Sequence, residues 1–197
     1  MKLWIDAERA SAERIFGMSL IERHLKAARH QKIELTEVVV DIGTGPTPSW
    51  IAEPRLKCPV RVVSGAGTCG DRLREVLAAG EPVLATDANS LPDGRLYRYL
   101  ADHAESCAVR ANKATIARID PADADRLLSA PTLDAVTAPL PELRQEDFPA
   151  FVAKLRRSLP FYLFSVTNAA ERKSVEKFLF WSNYKGSTDF FTKYVYP

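Results

Sequence analysis

No apolar run in this 197-residue chain approaches the roughly 20 residues that a membrane-spanning helix requires. The start, MKLWIDAERA, also lacks the apolar stretch of a secretory signal, so the chain is expected to begin in the cytoplasm. Cysteine is scarce. Cys58, Cys69 and Cys107 are an odd number without C-x-x-C spacing, which fits reduced structural thiols better than a disulfide framework or a zinc site. His24, His30 and His103 are scattered, and the first two stand six residues apart in one helical segment, off any shared ligand face. Packing or surface roles are expected for all three. A formal charge of +2 is too small to argue for nucleic acid as a partner. Internal repeats and low-complexity tracts are absent too. With 46% hydrophobic and 26% charged residues the composition excludes disorder, and the length suits one domain, or one with an appendage.

What is present alternates strand and helix patterns, the signature of an α/β domain. Strands are expected at Lys2–Ile5, Val38–Ile42, Val60–Val63, Pro82–Thr86, Ala114–Ile119 and Phe161–Val166. Helices are expected at Met18–His30, Asp71–Ala79, Gly94–His103, Pro121–Leu128, Ala150–Ser158 and Ala169–Trp181. Prolines at 131, 139, 141 and 149 mark an irregular excursion. The order implies a three-layer fold: a mostly parallel sheet with helices on both faces, ligands binding at the carboxyl ends of its strands.

Three constellations bear on chemistry. Gly65-Ala66-Gly67-Thr68-Cys69-Gly70 is a G-x-G-x-x-G string between a strand and a helix, and Asp87 closes the next strand, where a ribose-binding acid would sit. That supports an NAD-type Rossmann site on Gly65, Gly67, Gly70 and Asp87. Against it, the string follows the third strand, not the first, and Asp71 would oppose a pyrophosphate. Asp87, in Thr86-Asp87-Ala88-Asn89, is placed either to hold Mg²⁺ beside a nucleotide or simply to cap the next helix. The segment from Arg14 to Arg23 enters a helix past Gly17, with Ser19 and Glu22 spaced as a capping box.

The last 24 residues, from Ser174, crowd Phe178, Phe180, Trp181, Tyr184, Phe190, Phe191, Tyr194 and Tyr196 around Lys177, Lys185 and Lys193. Rings mixed with lysines suit a membrane–water interface; a final helix docked on its own core is the other reading. On the first reading the chain is a soluble domain, residues 1–181, with a connector, 182–197, toward a membrane part. Lys185, Phe190, Phe191, Lys193, Tyr194 and Tyr196 then lie on the inner membrane face, the lysines near anionic headgroups.

In order, RIFGMSLIERHLKAARHQKIELTEVVVDI, GTCGDRLREVLAAG and PVLATDANSLPD resemble the nucleotidyltransferase fold of cytidylyltransferase type, a GT-A or Rossmann-like architecture. The tail YKGSTDFFTKYVYP is similar to the connector that joins such a domain to the membrane domain of bacterial CDP-alcohol phosphotransferases, which make phospholipids. The resemblance implies Gly65, Gly67, Thr68 and Gly70 at the nucleoside, CTP or another nucleotide as ligand, Mg²⁺ as cofactor on Asp87, and Arg14 and Lys26 as cations for phosphates. It also implies a membrane-embedded phosphotransferase domain of the same polypeptide as partner, a homodimer, and a place on the cytoplasmic face of the inner membrane. The sequence departs from that family twice. Its loop after the first strand, Asp6 to Glu13, has three acids and no glycine, although glycine is what lets backbone approach a triphosphate closely. The matching place for a second metal aspartate, Ser165-Val166-Thr167-Asn168, holds no carboxylate. Both departures imply a domain that has lost turnover and acts in binding, docking or assembly. The alternative is an active Mg²⁺-dependent cytidylyltransferase that makes a CDP-alcohol from CTP and a phosphorylated alcohol, with Asp87, Arg14 and Lys26 at its centre.

Overall fold

The computed structural model describes residues 1–49, 56–144, 147–148 and 161–183. Six strands form the main sheet: β1 (Lys2–Asp6), β4 (Glu37–Asp41), β5 (Val60–Val63), β6 (Val83–Asp87), β8 (Cys107–Ala111) and β9 (Ala114–Ile119). Their spatial order is β5-β4-β1-β6-β9-β8, with the first four parallel and the last two antiparallel. β1 and β4 are apolar along most of their length because helices cover both sheet faces. Successive side chains divide accordingly. Leu3, Ile5, Val38 and Val40 pack toward α1 (Leu20–His30) and α3 (Gly94–Asp102). Trp4, Val39 and Ala85 pack toward α2 (Cys69–Leu77) and α4 (Leu133–Val136).

Two small ribbons flank this body. β2 (Arg14–Ile15) and β3 (Met18–Ser19) form a hairpin whose two-residue turn puts Phe16 at φ 48° and Gly17 at φ 77°. Positive φ at both central residues is what the strand twist demands of so tight a turn. Gly17 therefore belongs to a hairpin ahead of the helix, not to the helix entry. β7 (Ser90–Pro92) pairs antiparallel with β10 (Leu163–Ser165), and α5 (Ala169–Asn183) closes a third apolar cluster of Ile15, Leu20, Leu91, Val166, Val175 and Leu179.

The α/β, mostly parallel, three-layer expectation holds, and the strands at Val60–Val63 and Ala114–Ile119 lie where their patterns put them. The capping box is real: Ser19 Oγ accepts from Glu22 N at 3.2 Å while Glu22 accepts from Ser19 N at 2.5 Å. Pro121–Arg126 is a 3-10 helix, shorter than the helix expected to Leu128. The proline-rich excursion contains α4, and β2, β3, β7 and β8 are strands that no pattern announced. The helix expected at Ala150–Ser158 and the tail from Tyr184 onward lie outside the described residues.

Candidate functional site

Three neighbouring parallel strands, β4, β1 and β6, each end on an aspartate. Their register sets Asp6 beside Asp41 on one side and beside Asp87 on the other. By alternation all three face α2, the side that carries Trp4, Val39 and Ala85. This is the edge at which parallel α/β sheets bind ligands.

Arg72 of α2 fills the space between two of those acids. It is 3% exposed. Its Nε donates to Asp41 Oδ1 at 3.1 Å and Oδ2 at 3.2 Å, and its Nη2 donates to Asp6 Oδ1 at 3.2 Å and to Glu8 Oε2 at 3.1 Å. Nη1 donates to the Gly67 carbonyl at 2.9 Å. Asp41, itself 2% exposed, also accepts from Trp4 Nε1 at 3.2 Å and from Gly43 N at 2.8 Å. A buried charge needs this density of partners, because desolvation costs several kcal/mol for each ion.

Burial raises the Asp6 carboxyl despite the bonds from the Glu8 amide, the Cys69 thiol and Arg72. Burial opposes Glu8 too, but the bonds from Thr44 and Arg72 prevail and hold it below its usual range. Burial would weaken the Arg72 guanidinium, but Asp41, Asp6 and Glu8 prevail and raise it. The Cys69 thiol is pushed far up, first by burial and then by Asp6, so it stays protonated.

Loops seal the same edge. Ala7 N donates to Asp41 O and Ala88 N to Asp6 O, both at 2.7 Å. Ser11 N donates to Asn89 Oδ1 at 2.7 Å, Asn89 Nδ2 to Arg9 O at 2.8 Å, and Ser11 Oγ to Val166 O at 3.0 Å. A Cβ on Gly45 would stand 2.4 Å from the Glu8 carbonyl, so the loop after β4 rests directly on the loop after β1. Of the three acids in that loop, Asp6 and Glu8 hold Arg72, and Glu13 meets Arg172 at 3.4 Å.

The glycine string runs from after β5, an edge strand, into the start of α2. Thr68 Oγ accepts from Asp71 N at 3.2 Å, and Asp71 Oδ2 accepts from Thr68 N at 3.0 Å. Bonds from Thr68 and Ser129 bring the Asp71 carboxyl down to about 2. The helix start thus already has its anion, supplied by its own third residue. Gly67 needs its glycine, at φ 104°, and Gly70 is packed so that a Cβ would fall 2.0 Å from the Leu128 carbonyl.

Asp87 is engaged in its own turn. Its Oδ1 accepts from Asn89 N at 3.0 Å and its Oδ2 from Ser90 Oγ, and burial raises its carboxyl. Arg14 and Lys26, the two cations proposed for phosphates, sit elsewhere. Arg14 braces the hairpin, donating to Gly17 O at 3.3 Å and Ser49 Oγ at 3.1 Å, while Lys26 lines a groove on the outer side of α1. Magnesium, which wants several converging oxygens, does not fit this arrangement: Asp6 and Asp41 point at a guanidinium. Among the described residues no group of three or more His, Cys, Asp or Glu side chains could hold a metal ion. In the Ser165–Asn168 stretch, Asn168 Oδ1 caps α5, accepting from Ala170 N and Glu171 N at 3.0 Å each.

Arg72 is the residue that sequence reasoning missed. The signal was Asp41: an acid that ends a fully apolar strand must find a cation, and the helix beside it carries one.

No protein-family model matches the sequence, and no curated protein is a recognisable relative. Solved structures do match. The CTP:phosphocholine cytidylyltransferase of Streptococcus pneumoniae aligns with a TM-score of 0.53 at 11% identity, over 90% of this chain and 99% of that one. The fold is cytidylyltransferase-like. The 2-C-methyl-D-erythritol 4-phosphate cytidylyltransferase of Thermus thermophilus aligns over 90% of this chain and 98% of its own, with a TM-score of 0.50 at 15% identity. At such identities the likeness carries architecture, and the cytidylyltransferase-like sheet is what brings β4, β1 and β6 to one edge.

Proposed function

We propose that this is a nucleotidyltransferase-type domain without nucleotidyl transfer of its own, serving as a binding, docking or assembly module. The observation that carries the reading is Arg72, which lies between Asp41, Asp6 and Glu8 where a nucleotide and its metal would otherwise meet the strand ends. Nucleotidyl transfer depends on metal and cationic clamps to stabilise phosphoryl charge. Here the cation is tied to the domain's own acids, and the loop that would wrap a triphosphate is acidic and pinned by hydrogen bonds. The larger setting that the sequence resemblance supports is a CDP-alcohol phosphotransferase-type protein of phospholipid synthesis. In it this domain faces the inner membrane and a membrane-embedded phosphotransferase domain. Its contacts with the bilayer would fall to Lys185, Phe190, Phe191, Lys193, Tyr194 and Tyr196, all outside the described residues. No helix among the described residues is long and apolar enough to cross a membrane.

Calorimetric titration with CTP, ATP and NAD, each with and without Mg²⁺, tests this. No heat of binding is expected from any of them. Mg²⁺-dependent CTP binding would overturn the proposal in favour of an active cytidylyltransferase and make Asp87, Arg14 and Lys26 the residues to replace. NAD binding alone would give the case to Gly65, Gly67 and Gly70.

A further inference from the structure

A groove of about 300 Å³ opens between α1, β7 and the first turn of α3, away from the carboxyl-edge cluster. Leu91 and Pro92 give it an apolar wall, Tyr162 stands at its margin, and Arg23, Lys26, Arg29 and His30 line it from α1. Among the described residues no Asp or Glu lines it. Arg23, Lys26 and His30 follow one another at intervals of three and four, so they lie along a single face of the helix. Arg23 and Lys26, like charges at that spacing, repel, and in an ordinary helix neighbouring acids relieve them.

The nearby acids are already engaged. Glu22 caps its own helix, and Asp93 accepts from the Arg95 backbone and meets its guanidinium at 2.6 Å. Lys26 and His30 have no hydrogen bond or ion pair among the described residues. Arg23 donates to Ile15 O at 2.6 Å, but its Nε is buried without a partner. Gly94, the first residue of α3, also borders the groove, but the positive end of that helix is already capped by Asp93, so the charge on offer is that of the side chains.

We infer that this groove binds a phosphate group, carried by a small phosphorylated metabolite or by a phospholipid headgroup. The cations supply the charge a phosphate requires, and the Leu91–Pro92 wall accepts a short carbon body. The volume is at the lower end of ligand pockets, which suits a headgroup-sized molecule and is tight for a nucleotide. The inference does not rest on the state of the carboxyl-edge site.

The full chain would be titrated with glycerol 3-phosphate by calorimetry. In parallel it would be sedimented with vesicles of phosphatidylglycerol and, as control, of phosphatidylcholine. The partner measurement uses the Lys26→Ala/His30→Ala double variant, whose two positions are exposed and leave the core untouched. Saturable glycerol 3-phosphate binding that the double variant weakens by about tenfold or more supports a site for a free metabolite. Selective sedimentation with phosphatidylglycerol, lost in the double variant, assigns the same phosphate chemistry to a headgroup. No saturable binding in either arm, or binding that the double variant leaves unchanged, overturns the inference. Matching melting temperatures of the two proteins establish that a loss is local.

Discussion

Two regions of this molecule treat positive charge in opposite ways. At the carboxyl edge of the sheet a single arginine is buried among three carboxylates of its own chain, and described residues of the loops after β1, β4 and β6 are hydrogen-bonded across that edge. Along the outer side of α1, Lys26 stands beside two arginines and His30, with no acid among the described residues that line the groove. The first arrangement fixes structure and the second is open to a ligand. The edge at which parallel α/β sheets bind ligands is thus occupied by the chain's own side chains, while a different surface has the features of a binding site. The presence of arginine would not have separated the two, since both have it; burial and partners do.

The comparison breaks most sharply at Arg72. Replacing it with Met leaves buried Asp41 without its guanidinium, and removing one member of a buried ion pair costs about 3–5 kcal/mol. Chemical denaturation should show that loss, and adding Asp41→Asn should recover part of it. If Arg72→Met unfolds at the wild-type denaturant concentration, the closed edge is not what stabilises this face.

A second test uses His24, buried between α1 and the sheet. The Tyr97 phenol, kept protonated by complete burial, shares a hydrogen bond with His24 Nδ1, and burial lowers the imidazole to about 4. In the unfolded chain it titrates near its ordinary 6.5. Between those values the unfolded state holds the extra proton, so stability is full above about pH 6.5 and falls on acidification toward 4, by about 3 kcal/mol in all. Asp6 and Asp87, whose carboxyls are raised, contribute with the opposite sign. The informative quantity is therefore the difference between wild type and His24→Gln, whose amide oxygen can still accept from Tyr97. Melting curves from pH 7 to 4 should be flatter for the variant. Parallel curves would remove His24 as the cause.

The smallest effect separates packing from binding within the glycine string. Gly70→Ala drives a Cβ against the Leu128 carbonyl and should cost about 1–3 kcal/mol. Gly65→Ala meets only Arg72 Cδ, at 3.9 Å, and should change stability by less than about 0.5 kcal/mol. Equal costs at the two positions would mean that the string is not held by that contact.

Much of the frame was legible. Val60–Val63 and Ala114–Ile119 are short apolar runs bounded by turn residues, and Ser19 with Glu22 announced the start of α1. β8, the antiparallel partner of Ala114–Ile119, was not. β8 and β9 join through Asn112 and Lys113, at φ 48° and 63°, a primed turn without the glycine that usually marks one. β2, β3 and β7 are two or three residues long, too short for any periodicity. The site was half legible for a related reason. Sequence puts Asp87 at a strand end, Asp6 just past one and Asp41 inside another, and only the sheet order makes the three neighbours. An arginine just after a helix start reads as solvent-facing until the strand beside it is known.

The strap over the carboxyl edge has a consequence for the order of events in folding. Ser11 is held by Asn89 and by Val166, the latter 155 positions away in the chain. At translation rates of about 5–20 residues per second, the amino-terminal loop waits several seconds or more for its last partner to emerge from the ribosome. Until then Asp6 and Glu8 lack part of their cover, and the edge that the finished protein closes is still open in the nascent chain.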